Sequence, residues 1–345
     1  MTEQTKGLPN KEAAKLQEFA QIMYSQLLIK AKEVIKVNID EARKEYNIIA
    51  DSEVSGRAQV GVMILDLNGD VVARATNSFD SIKYVNGASS TKEATAIPLF
   101  EALAKLGKLD LTDVDKKQVD TPNGKMSLKK LIHKLLGWST NDELVFLREM
   151  YTKASPDRSG ANPMDVLEER INQGVGVTDD DKKYVVRSST KGLANPLRRN
   201  SAPLDTLIRM FKWSVDLCTT NKGILPQRIR TEILNALLFS PPRKDKPTMS
   251  HSFKMNFPNL GIIEKCGWYP EHGLMTLSTL AKIGNFYMGY YVEVPEIIKI
   301  EFVESIQDRE EREKAGKKRE TQQKQFLYAS GEVILKLGDQ LSLFT

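Results

Sequence analysis

The sequence predicts an α+β protein: an antiparallel sheet flanked by helices, with an all-helical lobe between its early and late strands. Three observations lead there. VGVMILDLNGDVVARATN reads as two short strands, Val60–Leu65 and Val71–Thr76, joined by a turn at Asn68-Gly69. Far along the chain, Leu274–Ile283 and Phe286–Val294 flank the two-residue turn Gly284-Asn285, a strong hairpin signal. Between these hairpins, apolar residues recur at helical spacing in run after run. At 345 residues, 41% hydrophobic and 28% charged, the chain can bury a large core in one or two lobes.

Taken in order, residues 13–47 open with a helical segment whose Leu16, Phe19, Ile22, Met23, Leu27, Leu28 and Ile35 share one spacing. Lys30, Lys32 and Glu33 interrupt it, so it is too charged to span a membrane. The first hairpin and a polar loop follow. STKEATAIPLFEALAKLGKL then sets Ala96, Ile97, Leu99, Phe100, Leu103 and Leu106 at helical spacing, with Pro98 expected to bend or interrupt the helix. LKKLIHKLLGW and DELVFLREMY predict two further helices, and RTEILNALLF another. Counting Gly261–Gly267 as a strand before the late hairpin, Lys265 and Gly267 point to one face and Cys266 to the other. The run QDREEREKAGKKRETQQKQ at 307–325 mixes both signs and reads as a solvated helix or linker, and FLYASGEVILKLGDQL as a closing helix. The expected organisation is an N-terminal helical segment at 1–54, a sheet lobe from 55–107 and 256–345, and an all-helical lobe at 108–255.

Three short motifs punctuate these elements: Ser89-Ser90-Thr91-Lys92, Ser139-Thr140-Asn141 and Lys265-Cys266-Gly267. S-x-x-K occurs three times, but Ser127/Lys130 reads as the N-cap of an amphipathic helix, and Ser188/Lys191 runs into GLANPLRRN, which supports no buried helix. Ser89 falls at the start of an apolar helix, where free N–H groups and the positive dipole end can stabilise an oxyanion. Lys92 sits one turn on, on the same face. In a dry pocket near another cation its pKa would fall and it could deprotonate a serine. The plainer alternative is a helix N-cap followed by a solvated lysine. Ser139-Thr140-Asn141 lies in a connection between two helices and also fits a capping box completed by Glu143. Lys265 places a positive charge beside a glycine that lets a substrate backbone come close.

Together the trio resembles the active-site signature of the serine β-lactamase and penicillin-binding protein (D,D-peptidase) superfamily, S-x-x-K, S-x-N and K-[ST]-G. The similarity covers roughly residues 55–300, with an insertion at about 150–190. VGVMILDLNGDVVA resembles the family's first hairpin and NGASSTKEATAIPLFEALAKLGKL its nucleophile helix. NSAPLDTLIRMFKWSV resembles the helix that crosses the all-helical region, and GIIEKCGWYPEHGLMTLSTLAKIGNFYMGYYVEV the last three strands. The resemblance implies a β-lactamase/D,D-peptidase-like fold with a long helix packed on the outer sheet face. It implies Ser89 as nucleophile, Lys92 as general base, Ser139 as proton relay, Lys265 as an electrostatic partner and Asn141 as ligand to a substrate amide. Cys266 and Gly267 would line the substrate strand, and the backbone N–H groups of Ser89 and Trp268 would form the oxyanion hole.

Two departures narrow the function. Cys266 stands where the family usually carries Thr or Ser, and a thiol is a weak donor to a substrate carboxylate. No Glu-x-x-Leu-Asn loop for deacylation follows the second motif. Glu232-Ile233-Leu234-Asn235 is one residue short and lies in an expected helix, and Asp165, Glu168 and Glu169 read as a charged helix face. The sequence therefore favours a serine acyl hydrolase or acyltransferase of D,D-peptidase type. The alternatives are a β-lactamase with atypical deacylation and a non-catalytic binding or sensor member of the family.

The expected substrate is a small molecule or peptide, a β-lactam, a D-Ala-type peptide or another amide or ester. A net charge of +5 spread along the chain gives no footprint for nucleic acid. His133, His251 and His272 are scattered and Cys218 and Cys266 form no C-x-x-C pair, so neither a metal nor another cofactor is expected. The start, MTEQTKGLPNKEAAK, carries no signal-peptide pattern, which reads as cytoplasmic unless a leader has been removed; the family default is periplasmic or extracellular.

Overall fold

The computed structural model describes residues 10–47, 57–77, 85–86, 88–155, 201–220, 224–238, 262–271, 274–337 and 340. Five strands form its main sheet: β1 Gln59–Leu65, β2 Val71–Thr76, β7 Ile263–Glu271, β8 Leu274–Ile283 and β9 Phe286–Pro295. Their order is β2-β1-β9-β8-β7, each neighbour antiparallel, so the first hairpin and the last three strands pair through β1 and β9. Both predicted turns are present. Gly69 and Gly284 take positive φ, the backbone that a tight turn demands of one residue and that glycine adopts without a Cβ clash. Asp66 Oδ1 also accepts from the backbone N–H of Asn68 (2.8 Å) and of Asp70 (3.0 Å), which closes the first turn.

The sheet is apolar on both faces because both are covered. One face turns Val60, Val62, Ile64, Leu277, Tyr290 and Val292 toward the helices α1 Asn10–Tyr46 and α8 Arg309–Lys336. α1 answers with Leu16, Phe19, Met23, Leu27 and Ile35, the stripe its spacing predicts, and α8 with Phe326, Val333 and Ile334. Each such side chain contributes roughly 1.5–3 kcal/mol on burial. The charged run at 307–325 is the N-terminal part of α8 rather than a linker. Lys318 ties it to Glu41 (2.8 Å) and Glu45 (3.2 Å) of α1, and Arg319 to Glu296 (2.6 Å).

The opposite face presents Met63, Leu65, Leu280, Tyr287 and Tyr291 to α5 Leu204–Thr219, which inserts Leu204, Ile208 and Phe211. Beyond it lie α2 Lys92–Lys105, α3 Leu128–Ile132, α4 Asp142–Ala154 and α6 Gln227–Leu238. Their Ile97, Phe100, Leu131, Leu147 and Ile233 share a separate core. α2 joins the two: Ala94 packs with the sheet-side cluster, and the helix is buried from Lys92 through Leu103 apart from Ala102. Pro98 sits inside it without interrupting it. The roughly 3 kcal/mol cost of an internal proline is outweighed by packing on every side of the helix.

The lobe expected to be all-helical is built mainly of helices and also carries short strands. A hairpin, β4 Gln118–Thr121 and β5 Gly124–Ser127, stands in it, turning at Pro122-Asn123 with Gly124 at φ 96°. Short alternating polar strands carry no apolar periodicity, so only the Pro-Asn-Gly turn marked them in the sequence. Two-residue strands β3 Val85–Asn86 and β6 Ser201–Ala202 also pair. Short α7 Ile300–Ser305 precedes α8.

Candidate active site

Ser89 lies on a 3-10 turn, Ala88–Thr91, that runs straight into α2. The edge strand β7 packs against this turn, and β8 holds it from below. Ser90 Oγ and Ser278 Oγ are 3.0 Å apart, and Ser278 Oγ donates to the Gly267 carbonyl at 3.4 Å. The Ser90 side chain is thereby used as an anchor, while Ser89 is only partly buried.

Lys92 opens α2 and is 3% exposed. Its Nζ donates to the Ser139 carbonyl and to Asn141 Oδ1, both at 2.5 Å, so the first and second motifs meet on one amine. Burial, and then the positive charge of Lys265, hold the Lys92 ammonium down to about 7; Glu143 and Asp142 oppose this. Ser139 adopts φ 58°, a left-handed conformation that costs a non-glycine residue of order 1–3 kcal/mol. That backbone turns its carbonyl to Lys92 and leaves its Oγ buried without a hydrogen-bond partner.

The capping box expected at this connection does not form. Asn141 at the N-cap of α4 is in the helical region and makes no side-chain cap, because Lys92 occupies its Oδ1. Glu143 reaches Lys134 at 3.0 Å, and Thr140 Oγ1 donates to the Lys134 carbonyl at 2.9 Å. The π-helical turn His133–Gly137 after α3 supplies that carbonyl and sets the connection's path.

On β7 the alternation follows the sequence reading. Lys265 pairs across to Leu280 and Gly289 on the face that meets α2 and α5; it is 5% exposed. Cys266 pairs across to Thr279 and Tyr290 on the other face, where its side chain packs against the α1 and α8 core. Burial pushes its thiol up to about 11, against the pull of a hydrogen bond with Thr279. Gly267 is buried on β7, which packs against the Ala88–Thr91 turn; the Trp268 side chain lies outside the described residues.

Glu93 is the residue the sequence reading passed over, since an acid in a helix's first turn ordinarily faces solvent and the dipole. Here it is 0% exposed. Neither carboxylate oxygen has a hydrogen-bond partner on another residue. Burial raises its carboxyl to about 8, with its own backbone N–H and Lys265 pulling the other way.

Beside Asn141, a cavity of about 460 Å³ opens between the β4–β5 turn and α4, lined by Pro122, Asn123, Asp142 and Phe146 among others. Glu232 lies on α6, in the helix expected there, bound to His133 (3.1 Å) and Lys129 (3.3 Å). Asp165, Glu168, Glu169 and Ser188 lie outside the described residues. Among the described residues no group of three or more His, Cys, Asp or Glu is placed to hold a metal, and no helix is long and apolar enough to cross a membrane.

No protein-family model matches the chain, and no curated protein does. Among solved structures, the chain is similar to a β-lactamase from Streptosporangium roseum, at 13% identity over 89% of this chain and 99% of that one, with a TM-score of 0.47. A β-lactamase from Burkholderia vietnamiensis gives 12%, 88%, 96% and 0.46 for the same measures. The TP domain of penicillin-binding protein 3 from Burkholderia pseudomallei gives 11%, 91%, 94% and 0.43.

Proposed function

We propose that the protein is a serine acyl hydrolase or acyltransferase working through a Ser89 acyl-enzyme, with chemistry of the D,D-peptidase type. The observation that carries this reading is the placement of Lys92, buried and held by two acceptors. Burial, and then Lys265, hold its ammonium down to about 7, which favours the free amine near neutral pH. A neutral amine has two N–H bonds and one lone pair. The Ser139 carbonyl and Asn141 Oδ1 take the two N–H bonds, which fixes the nitrogen and leaves the lone pair for the Ser89 hydroxyl proton.

In the scheme this supports, Ser89 Oγ attacks a carbonyl carbon as its proton passes to Lys92. The developing oxyanion is met by the backbone N–H groups of Ser89 and Trp268, each worth roughly 3–4 kcal/mol in comparable hydrolases. Ser139 Oγ, buried and unpartnered, is free to hand a proton to the leaving nitrogen or oxygen. Lys265 keeps the pocket positive, which stabilises the oxyanion and keeps Lys92 unprotonated. Asn141 and Gly267 border the substrate. Cys266 contributes backbone only, so the recognition of a carboxylate falls to Lys265. Water or an acceptor amine then releases the acyl group.

Incubation with a penicillin followed by intact-protein mass measurement tests the reading. One adduct on the native protein and none on Ser89→Ala is expected, with slow decay because the sequence carries no Glu-x-x-Leu-Asn deacylation motif after the second motif. Fast decay would move the assignment to a β-lactamase. If penicillins, esters and amides all leave the mass unchanged, the chain is a binding member and the proposal fails.

A further inference from the structure

α4 carries two faces at helical spacing. Leu144, Leu147 and Tyr151 turn into the helical core and are buried. Asp142, Val145, Phe146 and Glu149 recur three and four residues apart and form the other face. These four line the cavity of about 460 Å³ beside Asn141, where Val145 and Phe146 stay only partly buried. The facing wall is the β4–β5 turn, with Thr121, Pro122 and Asn123. That wall is anchored: Val119 and Met126 are buried in the helical core, and Thr121 Oγ1 donates to the Gly124 carbonyl at 2.7 Å. Asn141 joins the cavity to the catalytic amine. Its Oδ1 accepts from Lys92, while its Nδ2 makes no hydrogen bond among the described residues. One side chain therefore holds the base and keeps a donor for a substrate carbonyl next to the cavity.

Asp142, Glu143 and Glu149 give the lining its charge. Glu143 is 3% exposed; its Oε1 pairs with Lys134 at 3.0 Å, and its buried Oε2 makes no hydrogen bond. Asp142 is in no ion pair among the described residues, and Glu149 meets Lys153 at 3.8 Å with both side chains exposed. On the hairpin, Asp120 and Lys125 pair with each other at 3.8 Å. The start of α4 adds roughly half a positive charge. With Lys134 cancelling Glu143, Asp142 and Glu149 keep the cavity negative. The space suits an apolar stem laid on Val145 and Phe146. At its end a protonated amine would be matched by carboxylates, and an acid would be repelled. We infer that this cavity is the specificity subsite for the acyl side of the substrate, and that it selects an apolar chain ending in a protonated amine. The inference rests on the acyl-transfer reading for the reaction and on the cavity alone for the binding.

The test uses the full chain and thioesters of N-acylglycine that differ only at the far end of the acyl group. The acyl groups are para-aminomethyl-phenylacetyl, para-ethyl-phenylacetyl and para-carboxymethyl-phenylacetyl. In each, Ser89 Oγ bonds to the carbonyl carbon, the carbon–sulfur bond breaks, and the thiol leaves with the Ser89 proton. Acylation rates are read by intact mass for the native protein and for Asp142→Asn with Glu149→Gln, two exposed positions whose exchange leaves the core untouched. The native protein is expected to take the amine about tenfold faster than the ethyl donor, and the carboxylate slowest. In the double variant the amine-to-ethyl ratio should fall to near one; the ratio cancels any effect of Asp142 on Lys92 itself. A native ratio near one, or a ratio that the double variant leaves unchanged, would overturn the inference. Calorimetry with the unreactive amide of the amine compound separates it from its parent. Binding that the double variant loses, with no acylation of any protein, would defeat the acyl-transfer reading and keep the cavity as an amine site. Neither binding nor acylation would overturn both.

Discussion

Lys92 concentrates the site's chemistry because three different physical effects converge on one nitrogen. Desolvation removes the preference for charge, Lys265 adds repulsion, and two acceptors fix the position of the amine. Each effect has a separate signature. Lys265→Met removes the repulsion but keeps the burial, so Lys92 becomes a stronger base that is protonated to higher pH. The midpoint of the acylation rate against pH, expected near 7 in the native protein, should therefore move up; an unmoved midpoint would mean Lys265 does not act on Lys92. Ser139→Ala asks a different question. It keeps the carbonyl that binds Lys92 and removes only the Oγ, so the midpoint should stay and the rate should fall by about 10²–10⁴ if that hydroxyl carries the leaving-group proton. The motif residues were legible in the sequence, but their geometry was not. That Ser139 reaches Lys92 through its carbonyl depends on a positive φ that no residue type there announces. Glu93 looked like an ordinary first-turn acid, because burial of a side chain is a property of what packs over it.

At the scale of elements, spacing predicted well wherever a single face had to be buried. The α1 stripe and the two hairpins appear within a few residues of where the pattern placed them, and the closing helix begins earlier, at Arg309, taking in the charged run before it. Pattern failed where packing overrode propensity, as at Pro98, and where a short polar hairpin had no apolar face to betray it, as at β4 and β5. Contact between elements leaves its own mark at Gly289 of β9. A Cβ there would stand 2.6 Å from Ile208 Cγ1 and 3.2 Å from Leu204 Cδ1, so the glycine is what allows α5 to lie so close to the sheet. Gly289→Ala is expected to lower the unfolding free energy by about 1–3 kcal/mol, as overpacking of a filled core does. Chemical denaturation measures it, and a variant as stable as the native protein would show that α5 can back away at no cost.

For the whole molecule, the buried helix α2 is the structural hinge of the account. It belongs to both cores, delivers Ser89 and Lys92 from one end, and meets the second motif on α4 and the third on β7. The three motifs are separated by long stretches of chain, yet the sheet order and the helical connection bring them to one place. That convergence is the central claim, and it makes Ser89 distinct from its neighbours. Ser90 is equally nucleophilic by chemistry, but its hydroxyl is buried against Ser278. The most direct measurement is to locate the adduct formed with a penicillin. Trypsin releases Tyr84–Lys92 as one peptide holding Ser89, Ser90 and Thr91, and fragmentation distinguishes them. The account predicts the added mass on Ser89 alone, lost in Ser89→Ala and sharply slowed in Lys92→Met. Modification of Ser90, of a lysine, or of no residue in this peptide would contradict it.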